Sequence, residues 1–186
     1  MFEFKFRIMK QILILISISF LTLTPAHTQE NTNTLKEEKL QEMNKLSFMT
    51  GSWEGSGWIQ LEDGSRSSFE IYETVQEKLD GLVYLVEGLG NSGDITTHNA
   101  IALISWDPEI NQYSFQTHTM DGRSANANAV LKGNTFKWGF DIPGGGKIRY
   151  DLRIIDNYKW NEKGFFSPDG NNWYPFMEMT LQRITE

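Results

Sequence analysis

The chain has 186 residues, a net charge of −7 and no cysteine. The negative charge argues against nucleic acid and anionic membrane surfaces as partners, because both attract positively charged proteins. The lack of cysteine excludes disulfide bonds and thiol nucleophiles, so the core alone must stabilise the fold. Twelve Phe, six Trp and six Tyr supply large apolar side chains for such a core.

The first 26 residues have the pattern of a secretory signal peptide. Basic residues up to Lys10 precede an apolar run over residues 12–23, and small residues near Ala26 offer a cleavage position. The run is shorter than the roughly 20 residues of a membrane-spanning helix. We therefore expect residues 1–26 to be a signal peptide, with export to the periplasm or the medium and no stable membrane insertion after cleavage.

The remaining 160 residues are enough for one domain with a sizeable core, and they carry 14 Lys and Arg against 23 Asp and Glu. Residues 27–34 are polar and predict a disordered leader. Thr34 and Glu37 fit a helix-capping box, and an apolar stripe of helical spacing follows them. We predict one helix over residues 35–49, at the start of a single domain over 35–186.

After Gly51 the pattern changes to the two-residue alternation of β-strands. Nine turn signals separate ten such segments, and no segment between them is long enough for a crossover helix. The sequence therefore predicts an all-β fold, a roughly ten-stranded antiparallel up-and-down barrel, because closure removes exposed strand edges. The turn signals are Asp63-Gly64, Asp80-Gly81, Asn91–Gly93, Asp107-Pro108, Asp121-Gly122, Lys132–Asn134, Pro143–Gly146, Asp156-Asn157 and Pro168–Gly170.

Three predicted strands place a polar residue in step with apolar ones: Glu73, Glu87 and His98. A polar group on an apolar face needs a partner or a function. If Glu73 and Glu87 shared one cavity, their like charges would raise at least one pKa, and the pair could act as a general acid or hold a cationic ligand. The alternatives are a buried ion pair with a basic residue, or a strand whose glutamates face outward.

A barrel of about ten strands can enclose a small molecule, and this sequence has the aromatic residues to line such a cavity. We predict an exported protein that binds an apolar or amphipathic small molecule. The alternatives are an envelope-associated structural or interaction domain without a cavity, and an enzyme that uses Glu73, Glu87 or His98 as a base. Trp160 and Phe176 complete the expected aromatic wall. The candidate ligand-binding residues are Trp58, Glu73, Glu87, His98, Trp138, Tyr150 and Tyr174.

No catalytic or metal site is predicted. His98 and His118 lie on different predicted strands, and no closely spaced set of ligands surrounds either of them. No serine lies in a nucleophile elbow. The glycine run that ends at Gly146 precedes no helix and therefore reads as a turn rather than a phosphate-binding loop.

Four segments resemble lipocalin-like (calycin-type) barrels, and in particular an exported bacterial family of unassigned function. The resemblance covers roughly residues 46–184 and implies a barrel in which a Trp of the first strand packs under an Arg of the last. Trp53 and Arg183 occupy these positions, and we expect them to close the barrel through a cation–π contact. The segments are Gly51–Gly55, Trp106–Tyr113, Thr119–Gly122, and Asp169-Gly170 with Met177–Arg183.

The Gly-x-Trp-x-Gly-x-Gly opening is also distantly similar to that of nitrobindin-type haem barrels. Those barrels bind iron through a His near the carboxyl end, whereas this sequence has no His beyond His118. Because haem needs an axial ligand, we expect no cofactor and keep haem only as the alternative.

Overall fold

The computed structural model describes residues 26–156 and 158–185, which form one N-terminal helix and ten strands. The helix α1 covers Ala26–Asn44, and short 3-10 turns cover Ser47–Met49 and Leu79–Gly81. The strands are β1 (Gly51–Gln60), β2 (Arg66–Lys78), β3 (Val83–Ser92), β4 (Ile95–Asp107), β5 (Gln112–Thr119), β6 (Ser124–Lys132), β7 (Thr135–Asp141), β8 (Lys147–Asp156), β9 (Lys159–Ser167) and β10 (Tyr174–Arg183).

The strands form a closed antiparallel barrel in which each strand pairs with its neighbours in sequence and β1 pairs with β10. The predicted ten-stranded up-and-down barrel is therefore confirmed. Each predicted turn signal lies at a connection between two strands, since short Asp-Gly and Gly-rich loops are all that an antiparallel meander needs. We refer to the end at which β1 starts as the lower end and to the opposite end as the upper end.

The lower end is covered by the chain that precedes β1. Met43, Leu46 and Met49 are fully buried there. The phenol of Tyr113, in β5, donates a hydrogen bond to the Glu42 carbonyl at 2.9 Å. The indole Nε1 of Trp53 donates to the Met49 carbonyl, also at 2.9 Å. Apolar packing and two directed hydrogen bonds thus fix this cover on the barrel.

The first and last strands meet at the pair predicted to close the barrel. Trp53 lies opposite Arg183 in the β1–β10 register, and the guanidinium lies 4.1 Å from the centre of the indole ring. The guanidinium also donates hydrogen bonds to the carbonyls of Phe48 and Thr50. Arg183 therefore connects β10 both to β1 and to the residues that cover the lower end.

Close strand approach explains a glycine in this region. A Cβ atom at Gly55 would collide with the backbone of Thr180 in β10. Only glycine allows the two strands to come this close at the closure of the barrel.

Helix α1 differs from the prediction in its bounds. It begins at Ala26 and ends at Asn44, whereas we predicted a disordered leader over 27–34 and a helix over 35–49. Residues 27–44 contain no Pro or Gly, so no helix-breaking residue prevents the helix from beginning before residue 35. The barrel belongs to a compact unit that begins at Thr34. The predicted signal peptide lies almost entirely outside the described residues.

None of the helices within the described ranges is both long and apolar enough to cross a bilayer.

Candidate functional site

The inward-facing side chains become more exposed from the lower to the upper half of the barrel. In β7, Phe136 is fully buried, whereas Trp138 and Phe140 are only half-buried. In β8, Leu152 is buried, whereas Tyr150 is half-buried. Because these residues alternate along their strands and share the inner face, their exposed area faces the barrel interior. We call the closed lower part of the interior the packed half and the upper part the open half.

The same change occurs in the other strands. In β4, Ala102 is buried and Ala100 is half-buried. In β10, Leu181 is fully buried and Met177 is half-buried. The interior is therefore solid above the helical cover and opens toward the upper end.

One wall of the open half is built from small residues. Strands β3, β4 and β6 present glycine and alanine where β7 and β8 present aromatic rings. Such a wall leaves space, because a glycine or alanine fills far less of the interior than an aromatic side chain. The small inward-facing residues are Gly88, Gly90, Ala100, Ala102, Ala125 and Ala127.

A continuous series of aromatic rings begins in β5, crosses the alanines of β6 and continues in β7, β8 and β10. Trp138 stacks on Phe115 at a centroid distance of 4.1 Å and on Tyr150 at 4.2 Å. Phe176 meets Tyr150 edge-on at 5.9 Å. Gly164 makes room for the last pair, since a Cβ atom there would lie 2.9 Å from the Phe176 ring and 3.0 Å from the Tyr150 ring. The rings form a rigid apolar surface that can pack against a flat ligand.

Glu162, in β9, is a buried carboxyl group held by two indoles. Its side chain points inward, and the residue is 6% exposed. Burial raises the pKa of Glu162 to about 7, and hydrogen bonds from the indoles of Trp160 and Trp138 offset part of that rise. The Trp160 Nε1–Glu162 Oε2 distance is 3.2 Å. The group therefore changes its charge close to neutral pH.

Glu73, in β2, is a second buried carboxyl group and is also 6% exposed. No group within residues 26–156 or 158–185 forms a hydrogen bond with it. Burial raises the pKa of Glu73 well above its usual value, and the charge of Glu162 raises it further. Across the strand pair lies Gly88, where a Cβ atom would stand 2.6 Å from Glu73 Oε1. Glycine at this position leaves room for the carboxyl group.

Tyr150 adds a phenol to the same region. Burial raises the pKa of Tyr150 above its ordinary value, and the charge of Glu162 acts in the same direction. Arg123, in the turn between β5 and β6, acts in the opposite direction. Glu73 pairs with Trp53 and Glu162 with Leu152, so the two buried carboxyl groups form the floor of the open half, at its boundary with the packed half. Together with the phenol and the aromatic rings they make a combination typical of small-molecule sites.

The structure brings together three of the predicted site residues: Glu73, Trp138 and Tyr150. Phe176 joins them as expected. Trp160 also faces inward but lies in the packed half, where its ring meets Trp53 edge-on at 5.6 Å.

Trp58 and Glu87 do not line the interior. Trp53 faces inward, and Trp58 belongs to the opposite set of alternating positions in β1, so it lies on the outer face. There the Arg66 guanidinium stacks 3.5 Å from its ring. Glu87 pairs with Thr74 on the outer face and is exposed. Glu73 and Glu87 therefore do not share a cavity, and the alternative of an outward-facing glutamate holds for Glu87, which is not a ligand-binding residue of the interior. A shift of one residue reverses the face of a strand.

His98 and Tyr174 lie at the upper end rather than inside. His98 pairs with Gly90 and is in step with the inward-facing Ala100. Its surface remains exposed, although nearby protein partly desolvates the imidazole and lowers the pKa of His98. Tyr174, at the start of β10, is 58% exposed. Both are rim residues.

Glu162 is the functional residue that the sequence did not reveal. In β9 the inward-facing Glu162 lies between Asn161 and Lys163, so the strand shows no apolar–polar alternation there. The one signal that could have identified it is its spacing from Trp160 and Gly164, which share its face.

The described parts of the chain hold no group of three or more Asp, Glu or His side chains arranged around a metal ion. His118 pairs with the outward-facing Ile101, so its imidazole is not available to the interior. The residues that face the open half therefore fit haem poorly, since His98 is the one imidazole on the inner face among the residues described and it lies at the rim.

Two surface pockets lie elsewhere. One of about 230 Å³ surrounds Gly139 on the outer face beside Trp173, and one of about 340 Å³ lies between α1 and the β2–β3 turn. The second is lined by the buried Tyr84, whose phenol donates to the exposed Glu77 at 3.3 Å, but neither pocket contains two buried carboxyl groups, as the interior does with Glu73 and Glu162. We therefore place the candidate site in the open half.

The fold is that of a lipocalin-like β-barrel, as comparison with solved structures shows. Rv2717c from M. tuberculosis superposes with a TM-score of 0.59 at 10% identity, covering 77% of this chain and 97% of that one. The S-type phycobiliprotein lyase CPES from Guillardia theta superposes with a TM-score of 0.53 at 7% identity, covering 80% and 93%. At these identities the likeness concerns the fold alone. The sequence matches no protein family, and no curated protein is significantly similar to it.

Proposed function

We propose that this protein binds a small apolar or amphipathic molecule in the open half of its barrel. The observation that supports this most directly is the gradient of exposure along the inner face. A barrel that served only as a packed structural domain would bury Trp138 and Tyr150 as completely as it buries Phe136. Instead these rings are half-buried, and the glycines and alanines of β3, β4 and β6 leave space in the same interior.

The walls of the open half suit a molecule with one flat apolar face. Aromatic rings held by stacking lose little conformational entropy when a ligand packs on them. The two carboxyl groups and the phenol would then set the orientation of the ligand, as a few polar groups do in most small-molecule sites.

Filling the open half tests the proposal. The probe is N-phenylnaphthylamine, a neutral dye whose fluorescence rises in apolar surroundings. We expect the wild-type protein to bind it and Ala125→Trp to lose at least about 90% of the signal, because the added indole fills space on the inner face of the barrel beside the aromatic rings. Asn126→Trp, which adds the same ring on the outer face of the same strand, is the matched control and should bind normally.

Absence of dye binding by the folded wild-type protein would contradict the proposal. So would equal binding by Ala125→Trp and Asn126→Trp, because the dye would then bind outside the interior. Circular dichroism on both variants establishes that they are folded.

We also propose that residues 1–26 direct export to the periplasm or the medium. The support is the order of basic residues, apolar run and small residues in that segment. Expression in a Gram-negative host, followed by fractionation and intact mass measurement, should give an exported protein that begins near residue 27. Retention of the full-length chain in the cytoplasm would contradict this proposal.

A further inference from the structure

We infer that the ligand is an organic cation and that Glu73 and Glu162 together form its anchor in the open half. This inference rests on the proposed function and adds the chemical class of the ligand. It is carried by the placement of two carboxyl groups in one apolar interior, one of them without any hydrogen-bond partner among the residues described.

Glu73 has the geometry of a group that awaits a partner. It is 6% exposed, and no donor from the described parts of the chain contacts it. The glycine opposite, Gly88, leaves the carboxyl group free of contact with a side chain on that strand. A buried carboxyl group without a partner costs free energy in the empty protein, so such a group is commonly retained for binding.

The charges around the pair favour a cation as that partner. The charge of Glu162 raises the pKa of Glu73, burial raises the pKa of both groups, and no Lys or Arg contributes to the pKa of either. The other groups that face this region are the phenol of Tyr150, the Arg123 guanidinium that acts on Tyr150, and His98 at the rim. Basic residues of the neighbouring strands, such as Arg149 and Lys137, pair on the outer face.

The aromatic wall adds a second feature that suits a cation. The faces of Trp138 and Tyr150 carry the negative part of the ring quadrupole, which attracts a positive charge that lies over them. A positive nitrogen between these rings and the two carboxyl groups would gain both interactions. A carboxylate or phosphate ligand would be repelled by the two carboxyl groups once they are ionised.

Binding of a cation should be coupled to the ionisation of the pair. The ionised carboxyl groups attract the ligand, whereas the protonated groups do not. Burial and mutual repulsion keep protons on the pair to higher pH than on ordinary glutamates. Affinity for a permanent cation should therefore increase as the pH rises from about 5 to about 8, whereas affinity for a neutral molecule should not.

The test compares two probes of the same shape. Naphthylmethyl-trimethylammonium carries a permanent charge, and neopentylnaphthalene replaces its nitrogen by carbon. We expect the wild-type protein to prefer the cation by about tenfold or more at about pH 8, and to lose most of this preference at about pH 5. Because neither probe titrates, any change with pH comes from the protein.

Variants locate the effect. Glu73→Gln and Glu162→Gln should each reduce affinity for the cation by about tenfold while leaving that for neopentylnaphthalene within about twofold. Glu87→Gln removes the same charge from the outer face of the adjacent strand and is the matched control, which should behave as wild type. If a Gln variant fails to fold, the inference is still tested by how the wild-type preference for the cationic probe changes with pH.

The outcomes separate the inference from the proposed function. Equal affinity for the two probes, or a preference that Glu87→Gln abolishes as fully as Glu73→Gln, overturns the cation anchor while neutral binding still supports an interior site. If the barrel binds neither probe nor N-phenylnaphthylamine, the proposed function itself fails.

Discussion

The packed half and the open half of the barrel obey the same alternation of inward and outward residues but fill the inner positions differently. In the packed half, fully buried side chains such as Trp53, Phe136 and Leu181 fill the interior above the helical cover. In the open half, the inner positions combine the glycines and alanines of β3, β4 and β6 with half-buried aromatic rings. One strand can therefore contribute to the packed core at its lower end and line open space at its upper end.

The difference also concerns polar groups. In the packed half the indole of Trp53 and the phenol of Tyr113 both donate to backbone carbonyls of the cover, and the Trp106 Nε1 is the buried side-chain donor there without a partner among the described residues. In the open half Glu73 has no such partner among the described residues, and Glu162 accepts hydrogen bonds only from the indoles of Trp160 and Trp138. Buried groups without full satisfaction reduce stability, and proteins tolerate them chiefly where they have a function.

Removal of a ring from the packed half should have the largest effect. Trp53→Ala creates a cavity beneath Arg183, breaks the hydrogen bond to Met49 and removes the edge contact with Trp160. We expect a loss of about 3–5 kcal/mol in the free energy of unfolding, measured by urea denaturation. Trp58→Ala, on the outer face of the same strand, should cost less than about 1.5 kcal/mol. Equal losses would show that the two halves are not energetically distinct.

The buried carboxyl groups of the open half should make the free energy of unfolding depend on pH. Because burial raises the pKa of Glu162 to about 7 in the folded state, the folded protein binds more protons than the unfolded chain between about pH 4.5 and about pH 7. The free energy of unfolding is therefore highest at the acidic end of this range and falls as the pH rises, by about 3 kcal/mol at most. The raised pKa of Glu73 acts in the same direction.

The measurement is urea denaturation at about pH 5 and about pH 8 on wild type, Glu162→Gln and Glu87→Gln. The glutamine retains an acceptor for the indoles but cannot ionise, so the fall in stability should shrink in Glu162→Gln and persist in Glu87→Gln. If stability fell equally with pH in the wild type and in Glu162→Gln, the raised pKa of Glu162 would be contradicted.

A smaller effect should distinguish a guanidinium from an ammonium at the closure of the barrel. Arg183→Lys keeps the charge but loses the flat stacking on Trp53 and the simultaneous contacts with the carbonyls of Phe48 and Thr50. We expect a loss of about 1–2 kcal/mol in the free energy of unfolding. Arg153→Lys, an exposed control, should change it by less than about 0.5 kcal/mol. Comparable changes would mean that Arg183 acts through its charge alone.

The sequence was sufficient for the barrel and for the contact between Trp53 and Arg183. Turn residues fix where strands end, and antiparallel neighbours then follow from short connections. The faces of individual strands were harder to derive. Glu87 seemed to share a face with apolar residues, because β3 carries apolar side chains on both faces. Which of them points inward depends on the register with β2, and that register is a property of the assembled barrel.

The site itself was only partly predictable for the same reason. Trp138 and Tyr150 lie on strands with clear alternation, and both were expected in the cavity wall. Glu162 lies on β9, where neighbouring positions on both faces are polar. Its importance arises from proximity to Glu73, and these two residues are 89 positions apart in the sequence. Such a pair becomes visible only after the barrel has closed.

The smallest expected change in stability belongs to Gly88→Ala. The added Cβ would lie 2.6 Å from the Glu73 carboxyl, at the end of a flexible side chain that can move aside, so the free energy of unfolding should change by less than about 1 kcal/mol. The displaced carboxyl should nevertheless weaken binding of naphthylmethyl-trimethylammonium severalfold. Gly90→Ala, whose Cβ would meet His98 and Ile71 at 3.0 and 3.2 Å, places the same methyl group one step nearer the rim. If both variants bind the cation equally well, the position of the Glu73 carboxyl does not determine affinity, and the open half recognises its ligand by shape alone.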